Sequence, residues 1–341
     1  MAPPTVLLCG FGAFGRQHAQ AWREMVGNLR LLVADPSESA RAAAIESGCA
    51  VDDVASDAAD LITRADVVDI VSTSHDHYRL ARASLDAGKP VIIEKPAVKT
   101  VTEAEDLDTR ARAGGLPAQV QFVLRAHPLV IKAQKLLSDG AIGHLVAMDA
   151  VFTGWKRMRP DATLLENDGV HMLDLMRLFA GSAPESFEVT GDRLLGGPIP
   201  ETIHARLAFP DGARGYLRLG IMFGGMQPDP YLAGSLTTKR LTLIGDKGSI
   251  GFDFNADTMD VTEITYRATE GGHTPTIGAM RQERVVNVTP VVLLGECFRR
   301  FLTAVDGAGE VLCDLSQGAV EMTRLLERGR EDLAIIARDG S

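Results

Sequence analysis

Three glycines near the amino terminus have the spacing of a phosphate-binding turn. They follow directly after the apolar segment Val6–Cys9, in the stretch Gly10-Phe11-Gly12-Ala13-Phe14-Gly15. In a strand–turn–helix unit, the first such glycine permits a tight turn, the second lets the backbone approach a pyrophosphate, and the third lets helix and strand pack closely. The phosphates then lie at the positive end of the following helix. The spacing predicts a dinucleotide site, with all six residues as cofactor-binding candidates.

A carboxylate follows where the second strand of such a unit would end. Asp35 comes 20 residues after Gly15, directly behind the apolar segment Leu29–Ala34. A carboxylate at this place accepts hydrogen bonds from a ribose 2′-hydroxyl and repels a 2′-phosphate. This predicts NAD rather than NADP as the cofactor. The alternative is a plain glycine turn, with an aspartate that caps the helix after Pro36.

A lysine is predicted at the same edge of the same sheet. Glu94-Lys95-Pro96 follows the apolar residues 91–93, and open α/β sheets bind ligands at the carboxyl ends of their strands. An ammonium there can hold a substrate hydroxyl and stabilise the alkoxide as hydride leaves. Lys95 is therefore predicted to be catalytic and to contact both cofactor and substrate, with Glu94 on the cofactor side. The alternative is a surface lysine in a loop stiffened by Pro96.

A segment near residue 170 carries three polar residues on one predicted helical side. At about 100° per residue, Asn167, His171 and Asp174 fall within a stripe of roughly 60°. Most of the remaining circumference is apolar, so the helix is expected to be buried, and buried polar groups need partners. The trio is either a hydrogen-bonded structural set or part of a catalytic site. Asn167 and His171 are the catalytic and substrate-binding candidates.

The first 124 residues alternate continuous apolar segments with helical ones. Strands are predicted at Val6–Cys9, Leu29–Ala34, Val67–Ser72, Val91–Glu94 and Gln119–Val123. Helices are predicted at Arg16–Met25, Glu38–Ser47, Tyr78–Ala87 and Thr100–Ala113. Strands without polar alternation are typical of sheets covered by helices on both faces. The pattern predicts an α/β fold with a doubly wound parallel sheet, and a first domain over residues 1–124.

Residues 125–341 predict an α+β domain with a largely antiparallel sheet. Helices are expected over about Leu129–Ser138 and Gly169–Phe179, and two closing helices over about Val291–Val305 and Leu315–Ala337. Extended segments are expected at Phe187–Thr190, Thr202–Phe209, Gly215–Ile221, Arg240–Ile244, Ser249–Phe254 and Met259–Tyr266. Residues 223–238 and 268–284 are rich in Gly, Pro, Thr and polar groups and are predicted to be long loops. Whether the closing helix packs back on the first domain is left open.

The length, charge and cysteine content of the chain limit the kinds of partner and the cellular compartment that we expect. The chain has 341 residues, too many for one ordinary core, and a net charge of −10, which disfavours nucleic acid and anionic membranes as partners. No apolar stretch approaches the roughly 20 residues that cross a bilayer, and residues 1–5 lack the features of a secretory signal. Four widely spaced cysteines indicate a reducing, cytoplasmic compartment and argue against a metal site.

Taken together, these motifs make the chain similar to the glucose–fructose oxidoreductase/inositol dehydrogenase family. The motifs are Gly10–Gly15, Glu94–Pro96, Gln121–Arg125, Gly140–Gly143 and Gly169–Asp174. The resemblance implies an amino-terminal Rossmann domain and a carboxy-terminal domain whose open sheet forms subunit contacts, in a homodimer or homotetramer. It also implies NAD(P)-dependent redox chemistry at a secondary carbinol of a sugar, polyol or cyclitol. The family's lysine maps to Lys95 and its catalytic histidine to His171.

The sequence departs from the family pattern at two places. Asn167 stands where the family often has aspartate, and an amide cannot favour a protonated imidazole as a carboxylate does. In residues 72–77 the family commonly shows Thr-Pro followed by a histidine, whereas Ser74 replaces the proline here. His77 is the expected equivalent of that histidine, near the nicotinamide ribose. Thr73 and Ser74 are cofactor-binding candidates with it.

Further substrate contacts are expected around residue 155 and at Arg125. Trp155 offers an aromatic face to sugar C–H groups, and Lys156, Arg157 and Arg159 offer cations to a carboxylate or phosphate. An exposed loop with scattered charges is the alternative. The predicted protein is therefore an NAD-dependent oxidoreductase acting on a carbohydrate-like CH–OH group. Two other functions remain open: a dinucleotide-binding regulator without turnover, and an NAD-dependent glycosidase of the same fold.

Overall fold

The computed structural model describes residues 3–156, 162–197, 199–225, 227–229 and 234–339, with side chains through residue 334. The chain divides into two compact units. The first runs to Ala126 and resumes over Thr289–Arg324, and the second consists of His127–Val288 and the chain from Leu325 onward. The change of unit after residue 126 lies two residues from the predicted boundary. Residues 289–324, which were predicted to lie with the second domain, pack with the first unit.

The first unit contains a parallel six-stranded sheet, as predicted. Its strands are β1 (Thr5–Cys9), β2 (Arg30–Ala34), β3 (Val54–Ala55), β4 (Val67–Ile70), β5 (Val91–Glu94) and β6 (Ala118–Gln121). The helices between them are α1 (Ala13–Ala21), α2 (Glu38–Glu46), α3 (His77–Asp86) and α4 (Val101–Gly114). The strand order is β3-β2-β1-β4-β5-β6. This order reverses between β1 and β4, which is the ligand-binding position of a doubly wound sheet.

The second unit is built on a larger mixed sheet. Its strands are β7 (Leu145–Trp155), β8 (Ser186–Asp192), β9 (Thr202–Ala208), β10 (Arg214–Gly220), β11 (Gln227–Pro228), β12 (Leu236–Gly245), β13 (Gly248–Asp253), β14 (Thr258–Thr269) and β15 (Gly272–Arg284). Its first two helices are α5 (Pro128–Ser138) and α6 (Val170–Ala180). Among the described residues the main sheet order is β15-β14-β13-β12-β7-β10-β9-β8, and β11 pairs with β12. Every pair is antiparallel except β7 with β10, which confirms a largely antiparallel sheet.

The chain closes with α7 (Pro290–Val305) and α8 (Met322–Asp339), and α7 explains the return to the first unit. Leu294, Phe298 and Phe301 of α7 are fully buried in the same core as Trp22. The rings of Trp22 and Phe298 stack with their centroids 4.1 Å apart. An amphipathic pattern shows that α7 has an apolar face, but it does not show which core that face joins. None of the described helices is both long and apolar enough to span a bilayer.

The predicted long loop at 268–284 is wrong, because most of this range forms β15 in a hairpin with β14. Residues of β15 are exposed on both faces, so burial imposes no alternation of apolar and polar residues that sequence analysis can detect. In the other predicted loop, 223–238, the structure places β11 and the start of β12. Residues 226 and 230–233 of that range lie outside the described residues.

Candidate functional site

The glycine turn of the first unit has the geometry that its spacing predicts. Gly10 has a φ of +104°, in the region that favours glycine. A Cβ on Gly15 would come within 2.2 Å of the Gly10 carbonyl oxygen, so the third glycine is required by the close packing of turn and helix. A Cβ on Gly12 would meet no atom within 4 Å. Gly12 is the N-cap of α1 and provides no side-chain hydrogen bond to the helix, so no N-cap side chain occupies the first-turn N–H groups.

Asp35 secures this turn through its carboxylate. The Phe11 N–H donates to Asp35 Oδ2 at 2.7 Å, and the Ser37 N–H donates to Oδ1 at 2.8 Å. The N-cap of α2 is Ser37 rather than Asp35. A carboxylate has about four lone-pair sites, so two backbone bonds leave acceptor capacity for ribose hydroxyls.

His77 connects two segments at the carboxyl ends of β4 and β5. Its side chain is buried, with Nε2 3.0 Å from the Ser72 carbonyl oxygen and Nδ1 3.1 Å from that of Pro96. Burial lowers the pKa of His77, while its contacts with the backbone oppose this shift. Thr73 is exposed and Ser74 is partly exposed in the intervening turn. The structure therefore gives His77 a structural contact with the Pro96 carbonyl, next to the cis peptide bond between Lys95 and Pro96.

Glu94 and Lys95 complete this edge of the sheet. Glu94 is 7% exposed, and its Oε2 accepts the N–H of Lys95 at 3.0 Å. Lys95 itself is partly exposed. The structure thus brings together, at the carboxyl ends of β1, β2, β4 and β5, the predicted cofactor-binding residues of the first unit: Gly10–Gly15, Asp35, Thr73, Ser74, His77, Glu94 and Lys95.

In the second unit, Asn167 and His171 lie on consecutive turns of different helical type. Residues Leu165–Gly169 form a π-helical turn, and α6 begins at Val170. The predicted stripe assumed a continuous α-helix, and the i→i+5 bonding of a π turn changes the rotation between Asn167 and His171. Both side chains are nevertheless partly exposed, whereas most of α6 is buried. Asp174, the third member, is 1% exposed.

Asn167 is held by an ion pair that sequence analysis did not anticipate. Its Nδ2 donates to Asp168 Oδ1 at 3.1 Å. The other oxygen of Asp168 binds Lys156 Nζ, and both charged side chains are at most 3% exposed. Lys156 therefore does not extend from an exposed loop. Trp155, by contrast, is 55% exposed at the end of β7, and Arg157 and Arg159 lie outside the described residues.

A second buried ion pair lies beside the first. Lys239 Nζ contacts Asp229 Oδ1 at 2.8 Å, and the ammonium groups of Lys156 and Lys239 lie 4.0 and 4.8 Å from the centroid of the Phe152 ring. Burial lowers the pKa of Lys239, the charge of Lys156 acts in the same direction, and Asp229 opposes both. The sequence signal for the burial of Lys239 was the alternation along β12, which places Lys239 on the same face of the strand as buried Leu241.

Arg125 is placed among structural contacts of the first unit. It is 3% exposed, and its Nη1 donates to the Leu312 carbonyl at 2.7 Å and to Gln317 Oε1 at 2.9 Å. These bonds join the turn after β6 to the segment between α7 and α8. They account for the burial of this guanidinium without a substrate.

The residues of the first unit fit a dinucleotide. An uncapped helix start, open space above Gly12 and a carboxylate at the end of β2 are the features that bind a pyrophosphate and a ribose. The fold and this edge define a protein with a dinucleotide-binding unit of the Rossmann class. Two family models match the chain: the oxidoreductase family with an NAD-binding Rossmann fold over residues 5–122, and the GFO/IDH/MocA C-terminal domain over residues 130–251. The chain belongs to the GFO/IDH/MocA family of oxidoreductases.

Several characterised proteins are similar to parts of the chain. The D-apiose dehydrogenase of Paraburkholderia graminis is 30% identical over 185 residues, which cover 51% of this chain and 49% of that protein. The inositol 2-dehydrogenase 2 of Saccharopolyspora erythraea is 30% identical over 177 residues, 50% of this chain and 52% of that protein. The chain thus spans about half the length of these curated relatives. A solved levoglucosan dehydrogenase, in complex with NADH and levoglucosan, has the same fold, with a TM-score of 0.80, 19% identity and 97% of each chain covered.

The glycine turn leads to a paired prediction. Gly15→Ala is expected to lower the free energy of unfolding by about 1–3 kcal/mol, because its Cβ would clash with a backbone oxygen. Gly12→Ala is expected to leave stability nearly unchanged but to weaken NADH binding at least tenfold, because its methyl group occupies the space above the turn. Urea unfolding and NADH fluorescence titration measure the two effects. Equal NADH affinity in Gly12→Ala and the unmodified protein would contradict the placement of the pyrophosphate.

The contacts of Arg125 also lead to a prediction. Arg125→Met is expected to lower the free energy of unfolding by about 2–3 kcal/mol, because it removes charged hydrogen bonds from a buried guanidinium to two partly buried acceptors. Arg112→Met, at a site where the side chain is 67% exposed, is the matched control and should change stability little. Urea unfolding compares them. If the two variants unfold alike and only Arg125→Met loses turnover, Arg125 binds substrate instead.

Proposed function

We propose that this protein is an NAD-dependent dehydrogenase or reductase that acts on a secondary CH–OH group of a sugar, polyol, cyclitol or sugar acid. The observation that carries the proposal is the place of Lys95, directly after β5 at the same sheet edge as the glycine turn, in a chain of this oxidoreductase family. The names of the apiose and inositol dehydrogenases support the carbohydrate-like substrate class.

The residues have the following proposed roles. When bound, the nicotinamide supplies the acceptor or donor of hydride. His171 removes the hydroxyl proton during oxidation and returns it during reduction, as an imidazole near neutral pH can. Lys95 donates a hydrogen bond to the same oxygen and stabilises its negative charge. Asn167, held by Asp168, orients the substrate hydroxyl or the imidazole.

NAD is proposed as the cofactor, rather than NADP, on the charge of Asp35. Its carboxylate ends β2 with acceptor capacity left over and would repel a 2′-phosphate. We also propose a homodimer or homotetramer through the open face of the second sheet, where Tyr216 is exposed. A cytoplasmic location is proposed because all four cysteines are free thiols in the structure.

The cofactor proposal is tested by changing the charge at Asp35. The unmodified protein is expected to bind NADH at least tenfold more tightly than NADPH. Asp35→Asn keeps one acceptor oxygen but removes the charge, so the preference for NADH should fall at least tenfold. Asp52→Asn, at an exposed position of the same unit, should retain the preference. Fluorescence titration with both nucleotides measures this, and equal affinities in the unmodified protein would exclude the proposed preference.

The catalytic roles are tested by Lys95→Met and His171→Gln. Each variant is expected to lose at least a hundredfold in kcat, because each removes a group that acts on the reacting oxygen, while its NADH affinity stays within threefold. Lys135→Met and His273→Gln, at exposed positions, are the matched controls and should retain turnover. The measurement is NADH formation with a panel of sugars, polyols, cyclitols and sugar acids, and with aryl glycosides.

Two results of this panel would overturn the proposal. NADH binding without turnover of any alcohol would indicate a dinucleotide-binding regulator. Cleavage of aryl glycosides without net NADH release would indicate a glycosidase that oxidises its substrate transiently. Near-full activity of both Lys95→Met and His171→Gln would leave the dehydrogenase but remove the proposed roles.

A further inference from the structure

A fully buried histidine lies beneath the glycine turn and between two carboxylates. His18 belongs to α1, the helix that begins at that turn, and it is 0% exposed. Its Nδ1 is 2.9 Å from Asp69 Oδ2, and its Nε2 is 3.3 Å from Glu94 Oε1. The indole N–H of Trp22 donates to the same Asp69 oxygen at 2.8 Å. These four residues are the His18 cluster.

The carboxylates on both sides of His18 favour a charged ring. Nδ1 is within hydrogen-bond distance of Asp69 Oδ2, and Nε2 lies 3.3 Å from Glu94 Oε1 in an ion-pair contact that lacks hydrogen-bond geometry. Carboxylates only accept hydrogen bonds, and their negative charge stabilises a ring that is protonated on both nitrogens. Burial by itself lowers the pKa of His18, but the opposing effect of the two carboxylates is larger, and the pKa is raised to about 9. Phe14 and Phe298 pack against the ring with centroids at 5.0 and 5.4 Å, which keeps water away. The two carboxylates therefore favour the imidazolium form of His18 at neutral pH.

The charges that act on the His18 ring most strongly are those of the Asp69 and Glu94 carboxylates. The groups that face it are the carboxylates on β4 and at the end of β5, the thiol of Cys9 on β1 and the thiol of Cys297 on α7. Burial raises the pKa of Cys297 to about 12 and also raises the pKa of Cys9, so both thiols are neutral. Removing the proton from His18 would leave two buried carboxylates without a counter-charge, which is costly in a site of low dielectric constant.

The cluster continues directly to Lys95. One oxygen of Glu94 faces His18, and the other accepts the Lys95 N–H at 3.0 Å. We propose that His18 is a positioning residue. Its imidazolium holds the Glu94 carboxylate, which in turn fixes the main chain of Lys95. Because His18 belongs to α1, which begins at the glycine turn, this contact sets Lys95 relative to that turn. The connection to catalysis rests on the proposed function, in which Lys95 holds the reacting oxygen. The connection to the Lys95 main chain does not depend on it.

The experiment compares His18→Gln with Trp22→Phe. The glutamine is uncharged and leaves Glu94 without its cation, whereas Trp22→Phe removes the other donor to Asp69, keeps an aromatic ring against Phe298 and leaves Glu94 untouched. Hydrogen exchange of the Lys95 amide, followed by NMR and corrected for intrinsic rates, is expected to accelerate at least tenfold in His18→Gln and less than threefold in Trp22→Phe. Similar exchange in the two variants would overturn the proposal.

The unmodified protein provides a second test that needs no variant. Nitrogen NMR of labelled histidine should show His18 protonated on both ring nitrogens at pH 7.5, with a midpoint near pH 9. The raised pKa means that the stabilisation from His18 is complete below its ordinary value of 6.5 and is lost as pH rises through about 9. Protection of the Lys95 amide should fall over the upper part of that range. A neutral ring at pH 7.5 would overturn the proposal.

Turnover separates this inference from the proposed function. If the unmodified protein oxidises a panel alcohol, His18→Gln should lower kcat at least tenfold with NADH affinity within threefold, and Trp22→Phe should retain kcat. Equal kcat in the two variants would contradict the positioning role in catalysis. If no alcohol is oxidised, the proposed function fails, while the amide exchange and the histidine spectrum still decide whether His18 fixes the Lys95 main chain.

Discussion

Burial of the central parallel strands on both faces limits where polar atoms can lie in the first unit. Val6, Leu8 and Ile93 are 0% exposed, and a polar group in such a position is stable only with hydrogen-bonded partners. The polar residues proposed to contact the cofactor and the substrate in this unit therefore come where the strands end. Asp35 follows β2 and Lys95 follows β5, so the chain direction common to all six strands brings them to one edge.

Asp69 is the exception that shows the strength of this constraint. It lies within β4 at 0% exposure, and its Oδ2 accepts from Trp22 and lies 2.9 Å from His18 Nδ1, whereas Oδ1 has no hydrogen-bond partner among the described residues. Because the imidazole of His18 has two nitrogens, the ring that contacts Asp69 also reaches Glu94. A carboxylate placed inside the sheet is thereby connected to the edge where the candidate cofactor-binding residues lie. His18, the residue that makes this connection, is a buried residue of α1.

The second unit also contains buried charged groups, and here aspartates are paired with lysines. Two buried ammonium groups lie close to the Phe152 ring, and each of them has its own aspartate partner. Asp168, next in sequence to Asn167, binds Lys156 and the Asn167 amide. The departure from the family's aspartate at position 167 is thus accompanied by an aspartate at 168 whose charge is already balanced. The Asn167 side chain is therefore oriented by the hydrogen bond from its amide nitrogen to Asp168.

Local patterns in the sequence determined the parallel sheet, the glycine turn, Asp35 at the end of β2 and the place of Lys95. Each depends on residues within one strand–turn–helix unit, where backbone geometry follows from a few neighbouring side chains. Only the tertiary structure decided that α7 joins the first core, that β15 is a strand, that Leu165–Gly169 is a π turn, and which partners the buried charges have. His18 and Asp69 are 51 residues apart, and Arg125 and Leu312 are 187 apart. Such contacts depend on strand order and on the rotation of packed helices, neither of which leaves a periodic signal in the sequence.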